Sequence, residues 1–260
     1  MKKLNFIIKY GLALLLLSFY SCESWLNVTP SDRLSEEMLF NDREGFVKAL
    51  NGVYIELNTN ELYGRNLTAG ALDVMGQYYS VASSSHAFYN YGGLVYTGND
   101  EKALFDNMWQ KCYAVIACCN TIIEKCDENK AGLSPVWKGS IKGEALALRA
   151  MLHFDMLRLF GPLTSELDKE SIPYQTNSDQ TVTPLLSGSE VIGLILDDLK
   201  NAVGLLKDTD PYFVEEEFSD TDLNYRRFRM NYFAAKGLMA RVQLWGGDKE
   251  KAAITAKEVI

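Results

Sequence analysis

The chain has 260 residues, of which 47% are hydrophobic and 23% are charged, and its formal net charge is −8. This apolar content predicts a folded chain with a sizeable core and excludes a disordered one. Binding to nucleic acid needs clustered lysine and arginine, so the excess of 34 acidic over 26 basic residues argues against that partner. With two histidines far apart in sequence, we expect no metal site and no cofactor.

Residues 1–21 are typical of a bacterial lipoprotein signal peptide. Lys2 and Lys3 give a positive start, a short apolar run follows, and a small residue precedes Cys22. The run is shorter than the roughly 20 apolar residues of a membrane-spanning helix. We therefore expect Cys22 to be lipidated and to begin a mature chain that is anchored to a membrane. Phe19 departs from the aliphatic residue that is usual three positions before such a cysteine, and a plain secretory signal or a membrane anchor are the alternatives.

Helical periodicity covers most of the remaining chain and predicts an all-α fold. Apolar residues recur at intervals of three and four, and we expect Ser35 to cap the first helix and Pro135 to begin the third. Two long inserts interrupt the series of predicted helices. In chain order the helices are residues 36–57, a helix after Asp106-Asn107, 135–160, 190–206, 231–245 and 249–260. We find no clear strand pattern.

Four cysteines lie in the second predicted helix. Cys112, Cys119 and Cys126 recur every seven residues, which places them on one helix face at a spacing of about 10 Å. That spacing exceeds the reach of a disulfide. We therefore expect these three and Cys118 to be small buried residues at helix contacts, with an intermolecular or vicinal disulfide and a metal site as alternatives.

The segment 235–253 resembles a tetratricopeptide unit, with small residues on two helices that are joined by a Gly-Gly-Asp turn. Such units bury their apolar faces against their neighbours, so terminal units usually carry a cap. In the sequence, no such cap follows the apolar helix that reaches Ile260. We therefore expect a chain truncated before its C-terminal part, with fraying after Asn231.

Residues 143–162 resemble the signature of the SusD/RagB family of Gram-negative outer-membrane nutrient-binding lipoproteins. Cys22 followed by Trp25-Leu26 and Pro30, and the residues 195–199, also follow the order of that family. The resemblance implies a tetratricopeptide-like scaffold, in domain 22–260, that lies at the cell surface on the outer membrane. It also implies that the protein presents a glycan or peptide to a TonB-dependent, SusC-like transporter. The family is typically much longer, so its C-terminal part is expected to be absent.

The signature segment contains polar residues on an otherwise apolar helix. Glu144, Arg149 and Arg158 are expected to pair with other helices, because their spacing does not favour pairing with one another. His153 lies beside Phe154-Asp155 without a nucleophile in a recognisable motif nearby. We therefore interpret His153 as a packed, hydrogen-bonded residue.

The insert 74–99 is the candidate ligand-binding segment. It contains no Asp, Glu, Lys or Arg and is rich in aromatic, amide and hydroxyl side chains. Aromatic rings suit the apolar face of a neutral sugar, and polar groups can bind its hydroxyls. The candidate ligand-binding residues are Tyr78, Tyr79, His86, Phe88, Tyr89, Asn90 and Tyr91. Packing of these rings onto the scaffold, or contact with the transporter, are the alternatives.

The second insert, 207–229, carries many charges. Asp220 begins a segment like a calcium loop, but Tyr225 and Asn231 stand where glycine and glutamate should be. We expect these charges to form a solvated surface or local ion pairs. No framework for paired catalytic carboxylates is apparent, so we expect a binding protein rather than an enzyme. The alternative to nutrient capture is an adaptor lipoprotein that holds a protein partner without a small ligand.

Overall fold

The computed structural model describes residues 36–179 and 181–260. The predicted signal peptide, the Cys22 lipidation site and the Ser35 cap lie outside the described residues. The chain divides into an N-terminal unit, Met1–Leu39, and a larger unit, Phe40–Ile260. Helix α1 (Glu36–Leu39) belongs to the first unit and is a single turn.

The first helix of the larger unit is α2 (Arg43–Leu57). The sequence predicted one helix over 36–57, and that prediction is wrong because Asp42 has an extended backbone. Its side chain accepts a hydrogen bond from the Gly45 N–H at 2.8 Å, which caps a new helix. Phe46, Leu50 and Val53 form the buried face of α2, as their helical spacing predicted.

Two short helices and two long ones follow. They are α3 (Ala71–Met75), α4 (Tyr89–Gly92), α5 (Asn99–Glu128) and α6 (Pro135–Phe160). Helix α5 begins several residues before its predicted start, and its first turn carries Asp100 and Glu101, whose charges favour a helix N-terminus. Helix α6 begins as predicted, since the Ser134 hydroxyl accepts a hydrogen bond from Trp137 N at 3.3 Å.

A small antiparallel hairpin separates α6 from the next helix. Strands β1 (Glu170–Pro173) and β2 (Leu185–Ser187) pair with an irregularity between Glu170 and Pro173. The hairpin was not predicted, because strands of four and three residues are too short to show alternation. The remaining helices are α7 (Gly188–Thr209), α8 (Asp220–Tyr225), α9 (Tyr232–Trp245) and α10 (Lys249–Lys257), with short 3₁₀ turns at Glu215–Glu217 and Arg226–Phe228.

Helix α6 packs against both α5 and α7. Two glycines on α6 allow α7 to approach closely: a Cβ atom on Gly139 would lie 2.5 Å from Thr209 Cγ2, and one on Gly143 would lie 2.8 Å from Leu206 Cγ. The α9–α10 pair has the predicted turn, in which Gly247 has φ +91° and the Asp248 side chain accepts from Lys251 N at 3.0 Å. The predicted all-α, tetratricopeptide-like class is confirmed.

Three of the four cysteines in α5 are buried as predicted. Cys118 is the exception, since it lies on the exposed side of α5, and that part of the prediction is wrong. Cys112, Cys119 and Cys126 are free thiols in contact with the core. Within the described ranges, no helix combines the length and the apolar character needed to cross a bilayer.

Candidate functional site

Rings of the insert 74–99 attach it to the scaffold, since both Tyr91 and Tyr96 pack on Phe105. Tyr91 is 3% exposed, and its ring packs edge to face against Phe105 of α5, with centroids 6.1 Å apart. Phe88 is half-buried and packs in the same way on Tyr91, at 5.8 Å. Tyr91 therefore anchors the insert and cannot offer a ring face to a ligand, which corrects the candidate set at that position. Phe88 contributes mainly to packing.

Two polar contacts fix the path of the insert. The Gln77 side-chain amide donates to the Gly92 carbonyl at 2.9 Å, which joins the two ends of the segment. The Asn90 amide donates to Glu101 Oε1 at 2.7 Å, and Glu101 is 5% exposed. Asn90 thus lies at the surface with its amide already oriented by the first turn of α5. These contacts hold the rings between them in a defined position.

The remaining candidates are exposed. Tyr78 is 81% exposed, Tyr79 is 54% exposed and Tyr89 is 42% exposed. His86 is also exposed, and its Nδ1 accepts a hydrogen bond from Phe88 N at 3.1 Å. Large exposed rings are available to a ligand, whereas the buried rings of the same segment are not. The structure therefore divides the predicted set into exposed rings and anchoring rings.

The polar residues of the signature segment bind partners far away in sequence. The Arg149 guanidinium donates two hydrogen bonds to Asp198 of α7, at 2.7 and 2.6 Å, and a third to Asn120 of α5 at 2.8 Å. Tyr174 also donates to Asp198, at 2.6 Å. The predicted pairing of Arg149 with another helix is confirmed, and this network joins α5, α6 and α7 at one buried point.

His153 belongs to the same buried region and is 0% exposed. Its Nδ1 lies 3.0 Å from the Arg149 carbonyl, and its Nε2 accepts from Gln175 N at 3.0 Å. The ring stacks on Tyr174 with centroids 3.9 Å apart. Burial, together with the nearby Arg149 charge, lowers the pKa of His153 to about 3, so the ring is neutral at physiological pH. The prediction of a packed, hydrogen-bonded histidine is confirmed.

A second buried cluster joins α6 to the 207–229 insert. Glu144 is 2% exposed and accepts hydrogen bonds from Tyr54, Arg226 and Arg229. Arg226 also binds both oxygens of Asp210, at 3.0 and 2.6 Å. The two guanidinium groups hold the pKa of Glu144 below its usual value despite burial.

The ion pairs of Arg226 and Arg158 change two predictions. Arg226 is 3% exposed, so the expectation of a solvated surface is wrong at this position, whereas its pair with Asp210 of the same insert is a local pair as expected. Its second partner, Glu144 on a distant helix, was not predicted. Arg158 was expected to pair with another helix, but it binds Asp155 one turn earlier on α6. Because Asp155 also accepts from Tyr63 at 2.5 Å, the side chain that reaches across to another segment is the carboxylate rather than the arginine.

An exposed aromatic cluster lies near the start of α9, and the sequence reasoning did not find it. The rings of Tyr212, Phe213, Tyr232 and Phe233 pack on one another with centroids 5.3–5.9 Å apart. Tyr212 and Phe213 are 47% and 48% exposed. Their sequence signal was the Tyr-Phe pair in each of two segments, which becomes visible as a cluster only when the two segments meet.

Residues 24–244 match the family model of SusD-like proteins described as "Starch-binding associating with outer membrane". The chain is similar to SusD-like protein P2 of Formosa agariphila, with 26% identity over 99% of this chain and 46% of that protein. A SusD-like protein of Bacteroides ovatus is 30% identical over 55% of this chain. The chain therefore spans less than half the length of these relatives.

Solved structures share the fold. A SusD-like carbohydrate binding protein from Bacteroides vulgatus has a TM-score of 0.66 and 23% identity, and the match covers 84% of this chain and 44% of that one. A laminarin binding SusD-like protein has a TM-score of 0.61 and 16% identity, with 84% and 43% covered. The sequence match and the arrangement of helices agree, and the chain belongs to the SusD-like family.

Proposed function

We propose that this protein binds an uncharged oligosaccharide through the exposed rings of the insert 74–99. The observation that carries the proposal is the exposure of Tyr78 and Tyr79 on a segment that lacks charged side chains. A ring face and neutral hydrogen-bonding groups together suit a sugar better than a charged ligand. The family description names starch, and the name of one structural neighbour includes laminarin binding, which supports the choice of glycan as the ligand class.

The role that we propose is capture without catalysis. The protein holds the glycan at the cell surface and passes it to a TonB-dependent, SusC-like transporter, as the family resemblance implies. An adaptor that holds only a protein partner is the second candidate, and the exposed cluster of Tyr212, Phe213, Tyr232 and Phe233 favours it. The two functions differ in one measurable respect, because an adaptor would have no affinity for glycans.

We expect Tyr78→Ala and Tyr79→Ala each to weaken binding of starch or laminarin oligosaccharides about tenfold, because each removes an exposed contact ring. Isothermal titration calorimetry measures the affinity, and a thermal melt of each variant should change little, since surface substitutions usually do. Tyr212→Ala is the matched control, an exposed tyrosine outside the insert, and it should leave glycan affinity unchanged.

Tyr91→Ala should mainly lower the stability of the protein, in contrast to Tyr78→Ala and Tyr79→Ala. Removal of this buried ring should cost about 3–5 kcal/mol of stability, as for other core aromatic residues. If Tyr78→Ala and Tyr79→Ala bind glycans as tightly as the unchanged protein, the insert is not the binding surface. If the unchanged protein binds no member of a panel of neutral oligosaccharides that includes starch and laminarin fragments, the adaptor function replaces the proposed one.

We further propose that Cys22 carries the lipid anchor and that the protein lies on the outer membrane. One acyl chain gives only marginal binding, so stable anchoring needs at least two. We expect Cys22→Ala to lose both the incorporation of a tagged fatty acid and sedimentation with membranes. Cys118→Ala, which changes an exposed cysteine in α5, is the control and should retain both. Labelled, membrane-bound Cys22→Ala would contradict the proposal.

A further inference from the structure

A cavity of about 420 Å³ lies between helices α2 and α6 and the segment 211–229. Its volume falls within the range of about 300–1,000 Å³ that small-molecule sites occupy. Residues on α2 and α6 that line it, such as Tyr54, Ser140 and Glu144, recur at helical spacing on the faces that the two helices turn toward the segment. The cavity does not include any residue of the insert 74–99.

Ser140 gives the cavity a hydroxyl group that lies in its wall. The residue is 5% exposed, and its hydroxyl forms no hydrogen bond with another described residue. It is not sealed in the core, because it forms part of the cavity wall. A hydroxyl that faces a cavity and has no bond within the protein can both donate to and accept from a molecule that enters the cavity. This hydroxyl is therefore placed to bind a molecule in the cavity.

The polar wall also presents one further donor and one further acceptor. Arg229 uses Nε for Glu144 and Nη1 for Asn51, which leaves Nη2 for another acceptor. Asp222 uses Oδ2 to accept from Ser219, which leaves Oδ1 for another donor. A ligand that both donates and accepts matches these groups, as a hydroxyl does.

The charges around the cavity argue against an ionic ligand. Arg226 and Arg229 are matched by Glu144 and Asp210, and these four form a closed network of ion pairs. An added anion would compete with Glu144 for the two guanidinium groups, and it would lie near Asp222. An added cation would meet the same two guanidinium groups. A buried charge without its own partner is costly, so a neutral ligand fits best.

Apolar side chains also contribute to the wall. Val47 and Leu50 contribute from α2, Ile141 and Trp137 from α6, and Phe218 from the segment. A compact ring with an apolar face and hydroxyls at its rim can pack against the apolar side chains and hydrogen-bond to the polar groups of the cavity. We propose that this cavity is a second binding site, for an uncharged polyhydroxylated ring such as a single hexopyranose or a cyclitol, held through Ser140. The site is independent of the glycan surface proposed for the insert 74–99.

Nuclear magnetic resonance of the full ¹⁵N-labelled chain tests this assignment, because the Trp137 indole lines the cavity. Methyl β-D-glucopyranoside and myo-inositol are the probes, and glucuronate and glucosamine are their charged counterparts. We expect at least one neutral probe to shift the Trp137 signal saturably, with Trp109 and Trp245 as internal references. Charged rings should bind more weakly than the neutral ones.

Ser140→Ala should weaken binding of the neutral probe about three- to tenfold, which corresponds to one hydrogen bond. Ser140→Leu should abolish binding, because it removes the hydroxyl and places a branched apolar side chain in the cavity. Ser84→Ala, which changes an exposed serine of the insert, and Tyr78→Ala should leave the Trp137 titration unchanged. Loss of glycan affinity in Tyr78→Ala with an unchanged Trp137 titration would separate the two sites.

Three results would overturn the second site. One is a Trp137 signal that stays unshifted by both neutral probes up to about 50 mM, a concentration that would reveal even a millimolar affinity. Another is equal affinity in Ser140→Ala and the unchanged protein. The third is tighter binding of glucuronate or glucosamine than of the neutral rings. If Ser140→Leu does not fold, Ser140→Ala decides the question, because it removes one atom and leaves the cavity intact.

Discussion

Replacement of Asp198 by alanine is expected to lower the free energy of unfolding by about 3–5 kcal/mol, because it leaves a buried guanidinium without its partner. The Arg149 and Asp198 side chains are 8% and 10% exposed, so water cannot replace the lost carboxylate. Asn120 and the Thr176 carbonyl would remain as neutral acceptors for Arg149, and Tyr174 would lose its acceptor as well. Urea denaturation followed by circular dichroism measures the change.

The neighbouring residue supplies a matched control. Asp197 pairs with Lys200 on the surface of the same helix, with both side chains more than 60% exposed. Exposed ion pairs contribute little, so Asp197→Ala should change stability only slightly. The combined substitution of Arg149→Met and Asp198→Leu should recover part of the loss, since no unpaired charge remains. Equal destabilisation by Asp197→Ala and Asp198→Ala would show that the buried pair does not hold α6 to α7.

Local sequence signals predicted the helices well and their ends less well. Ser134, Asn231 and Asp248 each precede a helix and cap it, because a side-chain oxygen next to a helix start needs no information from elsewhere in the chain. Asp42 caps α2 in the same way, but the apolar pattern runs through it and hid the break. The hairpin β1–β2 could not be predicted, since its pairing depends on segments that meet only in the folded chain.

The buried polar partners show where sequence reasoning stops. The sequence indicates that Arg149 needs a partner, because an arginine on an apolar helix must be paired when it is buried. It does not indicate which of many carboxylates supplies the pair, and Asp198 lies 49 residues away. The burial of Arg226 was missed for the same reason, because a charged segment looks solvated until Glu144, 82 residues away, is placed beside it.

The candidate binding surface shows a related limit. Composition identified the insert 74–99, because a run without charges but rich in rings and amides is unusual in an acidic chain. Composition cannot say which ring faces the scaffold. Tyr91 and Tyr78 are both tyrosines in the same loop-rich segment, yet one is 3% exposed and the other 81%. The difference comes from Phe105 of α5, which receives the Tyr91 ring.

Stability should fall in mild acid because His153 is buried in its neutral form. Its pKa is lowered to about 3 in the folded chain, whereas an unfolded histidine titrates near 6.5. Below about pH 6.5 the unfolded chain therefore binds a proton that the folded chain excludes, and stability is lost as the pH falls. Between pH 6.5 and 4.5 we expect a loss of about 2 kcal/mol from this residue, at a limiting slope of about 1.4 kcal/mol per pH unit.

Between pH 6.5 and 4.5 the effect of His153 on stability can be measured apart from that of Glu144. Glu144 also has a lowered pKa, so its contribution to stability is present above its unfolded value of 4.5 and is lost only below it. Urea titrations at several pH values between 6.5 and 4.5 therefore report mainly on histidine. Since the described chain holds two histidines, His86 serves as the control, being exposed on the insert 74–99.

His153→Gln should remove most of the pH dependence in that range, because glutamine can donate and accept hydrogen bonds but does not titrate. The variant should be less stable than the unchanged protein at pH 7, where the ring's stack on Tyr174 is lost, so the slopes rather than the absolute values are compared. His86→Gln should keep the slope of the unchanged protein. A slope that survives in His153→Gln would mean that other groups cause the acid sensitivity, and that protonation of His153 does not oppose folding.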